Sequence, residues 1–248
     1  MVKFTAPDNK NKPLHVTIAG DPGIGKTTLG ATFLKPAIIK LEDGTRAIKG
    51  DFVETPVLDT YSQVIEAITV AGKDPNIKSL IIDSVSTLEI LLENEIVKSD
   101  PNATSINDAL QGWGRGPRAV ASMMGQIKQA CVDTGKNCIY LCHPAIKQYS
   151  AVDMEPYNIL DLRLSTHTLP HFVDLVDCVA FLRLKVRDQR KNRGGDKIVL
   201  SSSSRELICY AHATIKAKNR LGITKPLDCP EGVNPIVNFI KGNQQKGE

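Results

Sequence analysis

Gly20-Asp21-Pro22-Gly23-Ile24-Gly25-Lys26-Thr27 is the stretch that decides how this chain reads. It fits G-x-x-x-x-G-K-[ST] at every fixed position, a pattern whose glycines let backbone N–H groups turn inward around phosphate oxygens. Its context fits as well. Leu14-His15-Val16-Thr17-Ile18-Ala19, just before it, is rich in β-branched residues and reads as a buried strand ending at Gly20. Thr27 to Leu34, just after it, keeps helical spacing until Pro36, and a helix there would turn its positive end toward the same phosphates. In such a loop Lys26 neutralises β- and γ-phosphate charge and the Thr27 hydroxyl ligates Mg2+. The candidate nucleotide-binding residues are therefore Gly20, Asp21, Pro22, Gly23, Ile24, Gly25, Lys26, Thr27 and the adjoining Thr28.

Outward from this loop, strands alternate with helices. Ala37-Ile38-Ile39-Lys40-Leu41 reads as a second strand, stopped by Glu42-Asp43-Gly44, and Val57-Leu58-Asp59 as a short third. Tyr61 to Ala71 is amphipathic, with Val64, Ile65, Ile68 and Ala71 on one face. Ser79-Leu80-Ile81-Ile82-Asp83 is a continuous apolar run ending in an acid, followed by a helix over Thr87 to Val97. Ser99 to Pro117 is polar and glycine-rich, Arg118 to Thr134 is helical by spacing, and Asn137 to Cys142 is a strand halted by His143-Pro144. Residues 145–169 show no clear period. Leu175 to Val186 is mostly apolar, and Ile198 to Leu200 and Leu207 to Ala211 read as short strands around a basic Gly194-Gly195 turn. The pattern predicts an α/β fold: a mostly parallel central sheet flanked by helices, with an antiparallel hairpin near the C-terminal part. It is read as one domain over 14–241, with a leader at 1–13 and a polar tail at 242–248.

Composition narrows the function classes. The 248 residues are 42% hydrophobic and 23% charged, which excludes wholesale disorder and repeat-built fibres. Lys+Arg 31 against Asp+Glu 27 gives +4, short of the footprint of a dedicated nucleic-acid module. No apolar run approaches the ~18–20 residues a bilayer requires, so no membrane partner is expected. The six cysteines lack C-x-x-C spacing. Cys138 and Cys142 share one strand face and read as small hydrophobes rather than zinc ligands. Free thiols and no secretory h-region point to a cytoplasmic location.

Asp83 is the second chemical landmark. An acid at the carboxyl end of a buried strand, where open α/β sheets bind ligands, suits a Walker-B role in holding Mg2+ beside Thr27. Ser84 follows it, so no glutamate is adjacent to orient water, and Glu42 at the end of the second strand is the candidate for that task.

In this ordered set the chain resembles the RecA/RadA/KaiC-type core, and most closely the short phage-encoded ATP-binding proteins of the RecA/RadA-like type. The residues that carry the likeness are Gly20–Thr27, Ile38 to Gly44, Leu80–Ser84, Gly112-Trp113-Gly114, Ile139–His143 and Ala217-Lys218-Asn219-Arg220-Leu221-Gly222. The resemblance implies a RecA-like P-loop NTPase fold and an ATPase using ATP and Mg2+. It implies a γ-phosphate sensor at His143, where RecA itself has a glutamine. It also implies a K-x-R finger, Lys218 and Arg220, reaching a neighbouring subunit's site in a homo-oligomer. Two loops are implied to face single-stranded DNA in recombination or strand annealing, here about 99–117 and 144–169, and a phage protein would work in the host cytoplasm.

In the first loop Trp113 and Arg115 offer a stacking face beside a cation, although a lone Trp is expected to anchor its loop to the core. The second carries Lys147, Tyr149, Tyr157 and Arg163 against Asp153, Glu155 and Asp161, nearly balanced in charge. The densest basic stretch, Arg183 to Lys197, either neutralises phosphates or blunts a sheet edge. A P-loop small-molecule kinase and a non-hydrolysing ATP-switched adaptor are the rival readings.

Overall fold

The computed structural model describes residues 12–150, 154–191 and 197–245. Most of the predicted leader, the last three residues of the tail and Asp153 lie outside the described residues. So do the side chains of 186–191 and 197–202 in the basic ribbon and the whole of 192–196, which includes Arg193.

Six parallel strands build the heart of the sheet: β1 (His15–Gly20), β2 (Pro36–Lys40), β3 (Val53–Glu54), β4 (Ser79–Asp83), β5 (Asn137–Cys142) and β8 (Cys178–Lys191). Their spatial order is β8-β1-β5-β4-β2-β3, extended beyond β8 by the antiparallel β9 (Lys197–Ile208) and β11 (Leu227–Asp228), while β10 (Lys218–Asn219) pairs with the start of β8. β6 (Pro144–Tyr149) and β7 (Tyr157–Leu162) form a separate antiparallel hairpin. The helices are α1 (Lys26–Gly30), α2 (Tyr61–Lys73), α3 (Val85–Ser99), α4 (Arg115–Asp133), α5 (Leu169–Val173) and α6 (Pro235–Gln245). The predicted α/β class with its late antiparallel section is thus what the chain forms.

Alternating side chains explain why helices cover both faces. Leu80, Ile82, Cys138, Tyr140 and Cys142 point to one side, against Ile68 of α2, Leu88 and Leu92 of α3 and Met124 of α4. Ile18, Ile38, Ile81, Ile139 and Leu141 point to the other, against Leu29 and Phe33 after the loop and Ile236 of α6. Each fully buried aliphatic side chain contributes about 1.5–3 kcal/mol, and a sheet covered on both faces collects that gain twice.

Several elements differ from the sequence expectation. The third strand is Val53–Glu54, not 57–59, although beyond it Thr55 N still donates to Ile38 O at 3.0 Å and Leu58 N to Lys40 O at 2.9 Å. The helix after the phosphate loop ends at Gly30, where the Thr32 hydroxyl donates to Leu29 O at 2.6 Å. The two short strands around 198–211 are one strand, β9, whose Ser201–Ser204 run hides its alternation. The apparently aperiodic 145–169 holds most of the β6–β7 hairpin. Among the described residues no helix is long and apolar enough to cross a membrane.

Candidate functional site

The parallel strands end together, and their ends gather the chemistry. β1 runs directly into the phosphate loop, where Gly23 and Gly25 adopt φ of 76° and 99°, values open to glycine without strain. Lys26 is 6% exposed, and its Nζ donates to Gly20 O at 2.8 Å and Asp21 O at 3.1 Å. Burial pushes its pKa down, while Asp83 and Glu42 pull the other way. Thr27 Oγ1 donates to Asp83 Oδ2 at 2.6 Å, joining the loop to the end of β4. Asp83 is 2% exposed, and burial pushes its pKa up to about 6 despite the Thr27 hydrogen bond and the Lys26 charge. The Asp83–Ser84 peptide is cis, and the Ser84 hydroxyl caps α3 by accepting from Thr87 N.

Glu42 and His143 complete the cluster from β2 and β5. His143 Nε2 stands 3.4 Å from Glu42 Oε1. Burial, then the Lys26 charge, lower the His143 pKa, so the ring is neutral at pH 7. Its backbone is pinned from both sides: His143 N donates to Ser86 Oγ at 3.0 Å, and its carbonyl accepts from Arg163 N at 2.9 Å. Lys26, Thr27, Glu42, Asp83 and His143, chosen from sequence, therefore stand at one end of four neighbouring strands, where open α/β sheets bind ligands.

Hydroxyl and carboxylate oxygens at Thr27 and Asp83 are hard donors that suit Mg2+, and a buried carboxylate with a raised pKa is stabilised by an arriving cation. The Lys26 ammonium rests on neutral carbonyls that phosphate oxygens outcompete. The residues present fit a magnesium-bound nucleotide.

A family model described as an AAA domain matches residues 12–221. The chain belongs to the AAA domain family. This AAA domain is a nucleotide-binding P-loop NTPase with a RecA-like fold. A KaiC-like protein of the hyperthermophilic archaeon Pyrococcus horikoshii OT3 has a similar structure, with a TM-score of 0.50 over 90% of this chain and 88% of that one at 14% identity. That likeness speaks to the fold. No curated protein is detectably similar in sequence.

Lys218 and Arg220 of this AAA domain are not brought to its own phosphate loop. β10 pairs with Val179 and Cys178, at the opposite end of β8 from that loop. The alternation expected for the pair is present, since both cations donate to Asp174 O, at 2.7 Å and 3.2 Å, capping the C-terminal end of α5.

The DNA-facing candidates separate clearly. Trp113 does not anchor its loop: it is 89% exposed. Leu110, Gln111, Gly112, Trp113 and Gly114 all have positive φ, a left-handed run that throws the indole outward at the start of α4. Asp100 and Asp108 hold the rest of that loop by accepting from Leu110 N at 2.7 Å and Ser105 N at 2.7 Å. In the second loop Lys147 is paired with buried Asp161 at 3.4 Å, whereas Tyr149 and Tyr157 stand together with ring centroids 5.4 Å apart. In the basic ribbon Arg183 pairs with Glu206 at 2.8 Å and Lys185 with Asp228. These lysines and arginines are partly spent on acids inside the fold.

Arg205 is the site residue that sequence reasoning missed. It lies on β9, and its Nη1 donates to Ile24 O at 3.2 Å, over Gly25, where a Cβ would collide with the guanidinium. A cavity of about 600 Å³ opens beside it, lined by Gly23, Gly25 and Thr28 of the loop and by Arg205, Asp228 and Glu231. No local motif marks Arg205, because it is 181 positions from Ile24.

Proposed function

We propose that this protein is a Mg-ATP-dependent ATPase of the RecA/RadA-like type that acts on single-stranded DNA in phage-type recombination or strand annealing. The observation that carries the reading is the convergence of Lys26, Thr27, Asp83, Glu42 and His143 on one strand end. Loop amides and Lys26 hold the phosphates, and the cavity under Arg205 takes the nucleoside. Thr27 and Asp83 would hold Mg2+, which would supply neutralisation of phosphate charge. Glu42 orients water and takes its proton as the oxygen bonds to the γ-phosphorus and the bond to the β–γ bridging oxygen breaks. Neutral His143 donates to Glu42 and holds that carboxylate in line. Lys218 and Arg220 supply transition-state charge to a neighbouring copy after leaving the α5 carbonyls, so turnover depends on assembly.

The DNA reading is supported by the outward Trp113 with Arg115 beside it and by the Tyr149–Tyr157 pair, aromatic faces on which bases stack. The test is ATPase rate per protomer against protein concentration, with and without single-stranded DNA across a salt series. A rate that rises with both supports the proposal. A rate indifferent to DNA at every salt concentration, with no DNA bound, removes the recombination role. A rate that instead requires a small-molecule phosphate acceptor converts the reading to a kinase, and no turnover with ATP bound converts it to an adaptor.

A further inference from the structure

Arg205 is a cation that the fold carries to the phosphate loop and leaves with donors to spare. It sits on β9, where its backbone carbonyl accepts from Cys229 N at 3.0 Å, tying the strand to the turn after β11. From there the half-buried side chain crosses to the loop, and Nη1 donates to Ile24 O at 3.2 Å. That bond is at the long end of the ordinary range, and its acceptor is a neutral carbonyl. A guanidinium offers five N–H donors in a flat fork. The acids around it are committed elsewhere or exposed. Glu206 pairs with Arg183 at 2.8 Å, Asp228 pairs with Lys185, and Glu231 faces water. Among the described residues no carboxylate stands at ion-pair distance from Arg205.

The fork lies so close over Gly25 that a Cβ there would collide with Nη1. With Gly23, Gly25 and Thr28 it walls the cavity of about 600 Å³ beside the loop. In a loop of this kind the lysine reaches the β- and γ-phosphates, while backbone amides cradle the α- and β-phosphates. Lys26 and Thr27 face Asp83, so the Gly25–Thr28 side is where the α-phosphate leaves toward the nucleoside. Charge calls for a further cation on that side. A triphosphate with one magnesium is still an anion, and the cluster of Lys26, Thr27, Asp83, Glu42 and His143 meets it with one cation and two carboxylates.

We propose, resting on the reading of Gly20–Thr27 as a nucleotide loop, that Arg205 is a further binding residue, which exchanges Ile24 O for the α-phosphate of the bound nucleotide. The exchange gives up one neutral hydrogen bond and gains a charge-assisted contact that the flat fork can make with two donors. Lysine at this position would supply a point charge without the fork.

The test titrates Mg-ATP, Mg-ADP and the two diastereomers of ATPαS onto the parent, Arg205→Gln, Arg205→Lys and Lys26→Ala proteins. Arg205→Gln weakens ATP and ADP alike, by about 10- to 100-fold, as expected for a lost hydrogen bond to a charged group. Arg205→Lys loses less. In the parent one ATPαS diastereomer binds more weakly than the other, because sulfur is a poor acceptor, and Arg205→Gln erases that preference. An arginine that only shaped the loop would weaken both diastereomers equally and leave the preference intact. If Arg205→Gln does not fold, Arg205→Lys serves, with weaker ATP binding and a smaller preference. The proposal is overturned if the folded variants bind ATP as tightly as the parent, if the parent shows no diastereomer preference, or if the preference survives unchanged. Weaker binding in Lys26→Ala with none in Arg205→Gln overturns the Arg205 assignment alone. A parent without affinity for Mg-ATP, or a Lys26→Ala protein that binds like the parent, overturns the nucleotide loop and Arg205 with it.

Discussion

The two ends of the central sheet solve the burial of charge in opposite ways. At the carboxyl ends, Lys26, Asp83 and Glu42 sit close enough to modulate one another, and every buried charge has a partner: Lys26 has loop carbonyls and Asp83 has Thr27. At the amino ends, Lys128 is buried to the same degree but, among the described residues, has no hydrogen-bond acceptor or ion-pair partner, in a cavity that Asp177 and Arg220 also line. The first arrangement is a balanced cluster waiting for a polyanion with its cation. The second is a cation that leaves its charge to solvent and to the more distant Asp177.

The contrast is sharpened most by Glu42→Gln. It keeps the shape of the site and removes the proposed base, so turnover is expected to fall about 10²- to 10⁴-fold while ATP affinity stays within a few-fold of the parent. Single-turnover and equilibrium binding measurements separate the two quantities. Equal loss of both would make Glu42 part of the binding surface instead. Trp113→Ala comes next. Being exposed, the residue changes stability by no more than about 0.5 kcal/mol, but loss of a stacked base weakens single-stranded DNA binding by about 1–3 kcal/mol. Fluorescence anisotropy against unfolding midpoints checks the pair of outcomes.

The smallest effects come from pH, and they have opposite signs at the two ends. Asp83 has a folded-state pKa raised from 3.8 to about 6, so without nucleotide the folded chain binds more protons than the unfolded one in that window. Its contribution to stability therefore falls as pH rises from about 4 to 6, and Asp83→Asn stabilises the ligand-free protein above pH 6 by on the order of 2 kcal/mol. His15 has a pKa lowered from 6.5 to about 4, so its contribution is present above 6.5 and is lost as pH falls toward 4. His15→Gln removes that acid-side loss, about 1 kcal/mol once solvent screening is allowed for. Denaturant midpoints from pH 4 to 8 for parent and both variants show two slopes of opposite sign, or they contradict the account.

Legibility in the sequence follows the same division. The carboxyl-end site was readable because its pieces are local: eight contiguous residues form the loop, and Asp83, Glu42 and His143 each close a strand that announces itself by its apolar run. The amino-end cavity was not. His15 and Lys128 lie on separate elements, and a lysine on an amphipathic helix looks solvent-facing until the packing of α4 on β5 turns it inward. Arg205 escaped notice for the same reason of distance. The β6–β7 hairpin was missed because Ile146 and Tyr149 are exposed while Leu162 is buried, so no simple alternation survives in that segment. Trp113 was expected in the core because an indole gains from burial; the left-handed run around it overrides that preference.

The central claim is that the Gly20–Thr27 turn wraps a triphosphate in partnership with Asp83. It is tested most directly by equilibrium titration of ATP onto the parent and Lys26→Ala proteins, each with and without Mg2+. The account predicts magnesium-dependent binding in the parent and a loss of about 100-fold or more in Lys26→Ala. Equal affinities in the two proteins, or binding indifferent to Mg2+, would contradict it.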